Sequence, residues 1–489
     1  MPAAGARNRI EVRREARSNP RADLPLPEES LTSANVYSRD TIAAISTGSA
    51  AAAIGIIRVS GADALAVAAR VFRGARPGRW ASHRLYPGRF VDAEERVLDH
   101  GLGVVMRAPR SYTGEDVVEL HGHGGALLAR RLLASVIAAG ARPAEPGEFT
   151  LRAFLNGKLD LAQAESVADL IAARTDAALR VAAEHLGGAL SGAVDKLRKR
   201  VIGIAARLEV AIDFSEEDVG ELDRTGLADE TARTTEALRD LAGTYRYGRI
   251  LREGLRVAIV GKPNVGKSSL LNCLLQSDRA IVTPIPGTTR DVIEETIDID
   301  GVGVVLADTA GIRAAGEEVE RLGIERTHEC LERADLAIAV LDNSRAWDEQ
   351  DEKAYAAARH KPHIALINKV DLESKLTIPE TISESARIVW GSALTGTGMD
   401  LLRSEILRFA GLPGEEVTGL MITRERHRLA LDAAAESMDR VKTGLRSGAP
   451  PDLVSVDIMC VLDHLGEIVG FTSPEDVLDR IFREFCIGK

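Results

Sequence analysis

Cysteine is scarce in this 489-residue chain: Cys273, Cys330, Cys460 and Cys486 stand alone, and no two form a C-x-x-C pair. That usage suits a reducing compartment and offers no disulfide framework. No apolar run reaches the roughly 20 residues of a membrane-spanning helix. Positive charge is not in excess. The formal net charge is −11, which excludes a general nucleic-acid binder, so any RNA contact is local or carried by a partner. There is no internal repeat. There is no G-x-S-x-G, so His123-Gly124-Gly125 is no lipase oxyanion loop. His121 and His123 have no third ligand at metal-like spacing and read as part of a glycine-rich turn.

What is present is phosphate chemistry. Residues 261–268 read Gly-Lys-Pro-Asn-Val-Gly-Lys-Ser, a G-x-x-x-x-G-K-[ST] loop. An apolar, β-prone stretch precedes it (255–260) and a helix-favouring one follows (269–275). The glycines let backbone amides converge on phosphates, and Asn264, Val265, Gly266, Ser268 and Ser269 lie within or beside the loop. Lys267 reaches the β- and γ-phosphates, and the Ser268 hydroxyl ligates Mg²⁺.

A second motif selects the base. Asn368-Lys369-Val370-Asp371 follows the apolar run 363–367. A carboxylate there accepts from the N1–H and 2-amino group of guanine, which adenine lacks on that edge. Charged hydrogen bonds of this kind are worth about 1.5–3 kcal/mol each. Ser392-Ala393-Leu394, after a strand-like 387–390, is placed to offer a backbone N–H to the guanine oxygen. Between these motifs lie two switches. Asp308-Thr309-Ala310-Gly311 holds Mg²⁺ through water and senses the γ-phosphate with the Gly311 amide. Gly287-Thr288-Thr289-Arg290 completes the Mg²⁺ shell through Thr289. Five elements in this order predict a GTPase domain.

The Gln that orients water in Ras-like proteins is missing, and Ile312 stands in its place. A K⁺ ion ligated by the Asn264 side chain and by carbonyls of 283–288 would supply the charge of an arginine finger, worth about 10³–10⁵ in rate. For water, Glu317, Glu318 and Glu320 are the nearest carboxylates, although the residues alone favour a solvated helix start.

Long segments flank the GTPase on both sides. Residues 1–37 lack apolar periodicity and read as a disordered extension. Arg13-Arg14 has no apolar region after it, and Glu11, Glu15, Asp23, Glu28 and Glu29 argue against a mitochondrial presequence. Residues 40–155 alternate β-like runs (53–59, 103–106, 117–120) with a helical stretch at 125–139, the pattern of a small α/β or α+β domain. Residues 159–250 are rich in Ala and Leu without Pro, and 423–446 and 452–486 look similar. A helical bundle split by an inserted GTPase is expected.

The resemblance then becomes specific. Residues 112–125 read YTGEDVVELHGHGG, 146–150 read PGEFT, 152–161 read RAFLNGKLDL, and the chain closes on Phe485-Cys486-Ile487-Gly488-Lys489. Together with the inserted loop, residues 40–489 resemble the bacterial tRNA-modification GTPases of the MnmE (TrmE) family. The resemblance implies a multidomain α/β and α fold: an N-terminal α+β folate-binding and dimerisation domain (38–157), a helical bundle (158–253 and 414–489), and an inserted Ras-like, doubly wound α/β P-loop GTPase domain (254–413). It implies a cytoplasmic bacterial homodimer, K⁺-dependent, without membrane attachment. With an FAD-containing partner called MnmG (GidA), in a heterotetramer, the family installs an aminomethyl or carboxymethylaminomethyl group on C5 of the tRNA wobble uridine. The carbon comes from a tetrahydrofolate derivative (5-formyl or 5,10-methylene forms bind), and FAD is held only by the partner. The resemblance places the switch carboxylate on Glu320, and K⁺ ligands on Asn264, Thr283, Ile285 and Thr288, within a segment that includes Pro284 and Pro286. It places folate contacts on Arg58, Glu119, Lys158 and Lys489. A pterin edge presents donors as guanine does, so Glu119 suits it; the residues alone favour a strand-end salt bridge between Arg58 and Glu119. Cys486 stands where the family carries a cysteine regarded as catalytic, and a packed thiol is the alternative; Gly488 and Lys489 do not fit a prenylation box. One departure is Ala50–Ala53, where the family carries a Pro- and Gly-rich loop; alanine resists φ > 0. Two other classes remain as alternatives: a ribosome-assembly GTPase, against which the acidic balance counts, and a nucleotide-gated scaffold.

Overall fold

The computed structural model describes residues 40–48, 52–74, 79–213, 222–277, 279–280, 294–308, 329–380, 382, 386–411, 419–472, 474–483, 485 and 488, apart from the side chains of 213, 277, 279, 280, 294, 308, 475 and 476. The extension, the segment from Thr283 to Thr289, Thr309 to Ile312, Glu317, Glu318, Glu320, Cys486 and Lys489 therefore lie outside the described residues. The chain divides into two compact units: residues up to Leu159 joined by those from Phe482 on, and Asp160–Ile481.

The first unit is a seven-stranded sheet with helices. Its elements are β1 (Ile42–Ile45), β2 (Ile54–Ser60), α1 (Ala64–Val71), β3 (Phe72–Gly74), β4 (Leu85–Val91), β5 (Val97–Met106), β6 (Val117–His123), α2 (Ala126–Ala138), β7 (Arg142–Pro143) and α3 (Glu148–Leu155). The order is β3-β4-β5-β6-β2-β1-β7, antiparallel except for the β1–β7 pair. Side chains alternate as strands require. Ile57 and Val59 of β2 and Val118 and Leu120 of β6 join one core with Val67, Val71, Leu132 and Val136 of α1 and α2. Arg58 and Glu119 fall between them in sequence and so face the other side, where Phe149 of α3 packs with Ile42, Ala44 and Tyr112.

Two expectations are corrected here. His121 and His123 are not in a turn: they belong to β6, where His121 Nε2 lies 3.2 Å from Glu119 and His123 Nδ1 2.8 Å from Asp99. Residues from Phe482 on, assigned above to the helical bundle, group with the N-terminal unit. Gly147 lets them in, because a Cβ there would sit 2.5 Å from the Phe482 carbonyl; Ser46 Oγ also donates to the Gly488 carbonyl at 3.2 Å.

The second unit begins with α4 (Leu161–Ala172), α5 (Asp176–Leu186), α6 (Ala189–Asp213), α7 (Arg224–Gly243) and α8 (Tyr245–Glu253). An Asp160/Gln163 capping box starts α4, satisfying two otherwise free amides. The chain then enters β8 (Leu255–Val260), α9 (Lys267–Ser277), β9 (Arg279–Ala280), β10 (Glu294–Ile299), β11 (Val302–Asp308), β12 (Leu336–Asp342), α10 (Glu349–Ala358), β13 (His363–Asn368), β14 (Arg387–Trp390) and α11 (Met399–Ala410). It closes with α12 (Glu425–Ser447), α13 (Pro451–Val469) and α14 (Glu475–Arg483). The sheet order β14-β13-β12-β8-β11-β10-β9 puts β8 at the centre, parallel to β11 and β12.

The bundle follows from spacing. Leu190, Val194, Leu197, Val201, Ile204 and Leu208 recur every three or four residues along α6. So do Leu431, Ala434, Met438, Val441 and Leu445 on α12, and Val454, Ile458, Val461, Leu465 and Ile468 on α13; all share one core. Full burial of such a side chain stabilises by about 1.5–3 kcal/mol. The helical stretch expected over 452–486 is broken: Gly470 caps α13 with φ +86°, and Pro474 precedes α14.

Both chain crossings between bundle and sheet are tied to α4. Asp169 accepts from Arg252 of α8 at 2.8 Å and from Arg424, just before α12, at 2.7 Å. Buried Glu165 receives Arg426 Nε and Nη2, each at 2.7 Å, with His427 Nε2 at 2.9 Å. Burial alone would raise the Glu165 pKa; Arg426, His427 and Arg424 hold it well below the usual carboxylate range. Burial and the Arg426 charge push His427 down to about 4, against Glu165, which pulls it up.

Candidate functional site

The loop after β8 is shaped by glycine. Gly266 has φ +105°, and a Cβ there would lie 2.2 Å from Asn368 Nδ2. Asn264 also adopts a left-handed conformation, φ +63°, which Asn tolerates better than most residues. Lys267 opens α9, and its Nζ donates to the carbonyls of Gly261 at 2.7 Å and Lys262 at 2.9 Å. Ser268 and Ser269 are exposed in the first helical turn, where the macrodipole favours anions. Asp308 ends β11 opposite Ile259 of β8, so its backbone reaches the same end of the sheet.

Three loops are stapled together at that end. Asn368, 2% exposed at the end of β13, donates Nδ2 to the Val265 carbonyl at 2.8 Å and accepts from the Ala393 amide at 2.9 Å. It is thus a brace between the phosphate loop and the 392–394 segment. Lys369 has φ +64°, and its Nζ donates to the Asn264 carbonyl at 2.8 Å and Asp342 Oδ2 at 2.6 Å. Burial would raise Asp342; Lys369 and Ser344 hold it below the ordinary carboxylate value. The Val370 amide donates to the Gly391 carbonyl at 3.3 Å. Asp371 and Leu394 project outward, Leu394 83% exposed, while Ser392 is buried. The described motif residues Asn264 to Ser269, Asn368 to Asp371 and Ser392 to Leu394 thus converge on the C-terminal edge of the parallel strands, where open α/β sheets bind ligands.

The second candidate site lies in the N-terminal unit. Arg58 and Glu119 are directly opposed across β2 and β6, with Nε donating to Oε1 at 2.9 Å. The Arg58 guanidinium sits 5.2 Å from the Tyr112 ring centroid and 5.7 Å from that of Phe149. Its Nη1 is buried and has no hydrogen-bond partner among the described residues. Burial would raise Glu119, but His121 and Arg58 hold it low, so it is a carboxylate. Lys158 is exposed and donates to the Pro109 carbonyl at 3.0 Å. The Ala-rich loop is anchored at its described ends: Ile56 N donates to Thr47 Oγ1 at 3.3 Å and Ala52 N to the Gly124 carbonyl at 3.1 Å.

Sequence reasoning missed the aromatic floor of Tyr112 and Phe149, and the cluster beneath it. Arg152, 2% exposed, reaches Asp40 at 2.6 Å, Glu148 at 2.9 Å and Glu115 at 3.2 Å. All of these but Asp40 stand inside the quoted motifs, but contiguous reading could not show that the carboxylates surround one arginine. Among the described residues, no group of three or more His, Cys, Asp or Glu could hold a metal ion, and no helix is long and apolar enough to cross a membrane.

A central parallel strand, a glycine-bounded phosphate loop and a stapled base loop define a P-loop GTPase. Sequence comparison refines that class. A family model described as the MnmE helical domain matches residues 161–486, and one described as the GTP-binding protein TrmE N-terminus matches 41–158. The tRNA modification GTPase MnmE of Moorella thermoacetica is 46% identical over 462 residues, covering 92% of this chain and 99% of its own length. That of Roseiflexus sp. is 44% identical over 460 residues, with coverages of 92% and 99%. Among solved structures, Aquifex aeolicus Era bound to GDP·AlF4⁻ is similar at 31% identity and TM-score 0.25, over 37% of this chain and 66% of that one. The G domain of the T. maritima FeoB iron transporter is similar at 26% identity and TM-score 0.25, over 32% and 98%. The chain belongs to the MnmE family of tRNA modification GTPases, and GTP hydrolysis is its activity.

Proposed function

We propose that this GTPase drives modification of C5 of the tRNA wobble uridine, with K⁺ and Mg²⁺ at the nucleotide and a tetrahydrofolate one-carbon unit in the N-terminal unit. The observation that carries the folate part is Arg58: a half-buried guanidinium whose buried Nη1 has no partner among the described residues, packed on two aromatic rings beside an ionised Glu119. A buried donor left unpaired costs about 1–3 kcal/mol, which a ligand acceptor would recover. Glu119 would accept from a pterin's ring N–H and amino group, and Lys158 and Lys489 would meet the polar tail. Folate would supply the carbon; the chain's own residues bind and orient it. Cys486 is proposed as a catalytic thiol of that site.

At the nucleotide, the amides of 264–269 and Lys267 would hold the phosphates, and Asp371 with Ala393 the guanine. Oxygen ligands from Ser268 and Thr289, with Asp308 behind a water, suit Mg²⁺. Oxygen from Asn264, Thr283, Ile285 and Thr288 suits K⁺, which would supply positive charge where Ile312 replaces the usual amide. Glu320 would position the attacking water, and Gly311 would sense the γ-phosphate. The working assembly is a cytoplasmic homodimer with an FAD-carrying MnmG-type partner and tRNA.

Isothermal titration of the whole chain with 5-formyltetrahydrofolate tests this function. Saturable binding at one site per chain, lost in Arg58→Met while GDP binding persists, is expected. Absence of binding to the wild-type chain would leave a GTPase without the one-carbon role.

A further inference from the structure

Lysine is almost never buried unless it is paired. Lys262, the second residue of the phosphate loop, is 7% exposed. Its Nζ lies 2.7 Å from Asp348 Oδ2 and 2.6 Å from Asp351 Oδ2. These carboxylates begin α10: Asp348 is its N-cap, accepting from the amides of Gln350 and Asp351, and Asp351 closes a capping box onto Asp348. Asp351 is 3% exposed, and its Oδ1 has no hydrogen-bond partner among the described residues. Its Oδ2 receives Lys262 and the Asp348 amide, the latter at 3.2 Å. The main chain of Lys262 faces the other way, its carbonyl accepting from Lys267 Nζ at 2.9 Å. One residue therefore joins the start of α10 to the phosphate-binding ammonium.

The grip is two-sided. Asp342, at the end of β12, holds Lys369, which in turn holds the Asn264 carbonyl. Asp348 and Asp351, at the far end of the same β12–α10 connection, hold Lys262. The loop is thus tied to residues 342–351 at its second and fourth positions. Gly261 and Gly266 give the loop backbone freedom, and these ties take it away before a nucleotide arrives. Preorganisation of this kind lowers the cost of binding.

Building on the GTPase reading, we propose that Lys262 is a positioning residue for the nucleotide: gripped by Asp348 and Asp351, it fixes the first half of the phosphate loop so that the carbonyls of Gly261 and Lys262 face Lys267. Its effect falls on nucleotide affinity, through Lys267 and the loop amides, and not on the chemical step.

The test is fluorescent mant-GDP binding and dissociation on the full chain, with turnover at saturating GTP and the nucleotide-free melting temperature. Lys262→Met is expected to raise Kd about tenfold, or about 1.4 kcal/mol, mainly through faster dissociation, with kcat within about threefold of wild type. Lys262→Arg should restore the affinity, since a guanidinium spans two carboxylates. Asp348→Asn keeps a good N-cap while removing one charge, and should raise Kd by about threefold with the fold intact. If Lys262→Met does not fold, Asp348→Asn decides: a raised Kd supports the proposal and an unchanged one overturns it. A Lys262→Met Kd within about twofold of a tightly binding wild type overturns the clamp alone. A loss that Lys262→Arg does not restore, or that simply tracks the melting temperature, also overturns it. A wild-type chain that binds no mant-GDP overturns the nucleotide reading, and the clamp with it.

Discussion

The two candidate sites are built on opposite principles. At the nucleotide end, consecutive backbone groups would do the recognition, and side chains such as Asn368, Lys369 and Lys262 brace one loop against another. In the N-terminal unit, the proposed recognition would rest on side chains spread over a sheet face, where Arg58 and Glu119 meet only because two strands pair in register. The first site is rigid by mutual bracing. The second holds in reserve a donor with no partner among the described residues. Damage to a brace or a backbone position in the first should therefore be broad, and damage in the second local.

The sharpest break is Gly266→Ala. A Cβ would collide with Asn368, which is buried and bonded at both ends, and φ +105° is strained for alanine. GDP affinity should fall by about a hundredfold or more, some 2.7 kcal/mol, by mant-GDP titration, while 5-formyltetrahydrofolate binding stays within about twofold. Loss of both ligands together would erase the distinction between the sites.

Asp371→Asn exchanges a carboxylate for an amide that presents donors. Two charged hydrogen bonds at about 1.5–3 kcal/mol each are at stake. GTP should weaken strongly and xanthine nucleotides, with a carbonyl at the 2-position, should gain relative to it. An unchanged GTP-over-XTP ratio in competition binding would remove Asp371 from the base.

The nucleotide site was more legible in the sequence than the sheet face of Arg58 and Glu119, for a physical reason. A phosphate loop needs neighbouring amides, so its residues are contiguous, and 255–260 and 387–390 were bounded as the strands that are found. A sheet face draws on every second residue of several strands, so Arg58, Glu119, Tyr112 and Phe149 are 91 residues apart at their extremes and carry no local signature. Only the resemblance singled out Arg58 and Glu119, and nothing singled out the two rings. The same limit hid β1, whose four residues, Ile42–Ile45, are too short to announce a strand. It also hid the break at Gly470, where a single residue ends a strongly periodic run. Lys262 was read past because it occupies a variable position of the motif; its burial is visible only once α10 is placed beside it.

On the sheet face, Tyr112→Leu should weaken 5-formyltetrahydrofolate by about threefold to tenfold, since cation–π contact with a partly desolvated Arg58 is worth roughly 0.5–2 kcal/mol. GTP turnover should not change. An effect on turnover equal to that on folate would show that the two sites are not independent.

A separate effect, on stability and not on binding, is expected away from both sites. His427 is buried with its pKa pushed down to about 4, while an unfolded histidine titrates near 6.5. Between those values the unfolded chain binds a proton that the folded chain refuses, so stability falls as pH drops through that window. From pH 7.5 to 5 this group should cost about 2 kcal/mol, at roughly 1.4 kcal/mol per unit. His427→Gln should flatten that part of the pH dependence in thermal unfolding. A variant with the wild-type slope would mean that His427 is charged in the fold.

The central claim is that a GTPase lacking the water-orienting amide recruits a monovalent cation at Asn264. Single-turnover GTP hydrolysis in K⁺ and in Na⁺ at equal ionic strength tests it directly. The account predicts turnover at least about tenfold faster in K⁺, or about 1.4 kcal/mol of barrier, with the difference abolished in Asn264→Ala while Mg²⁺·GDP binding persists. Equal rates in the two salts would contradict it.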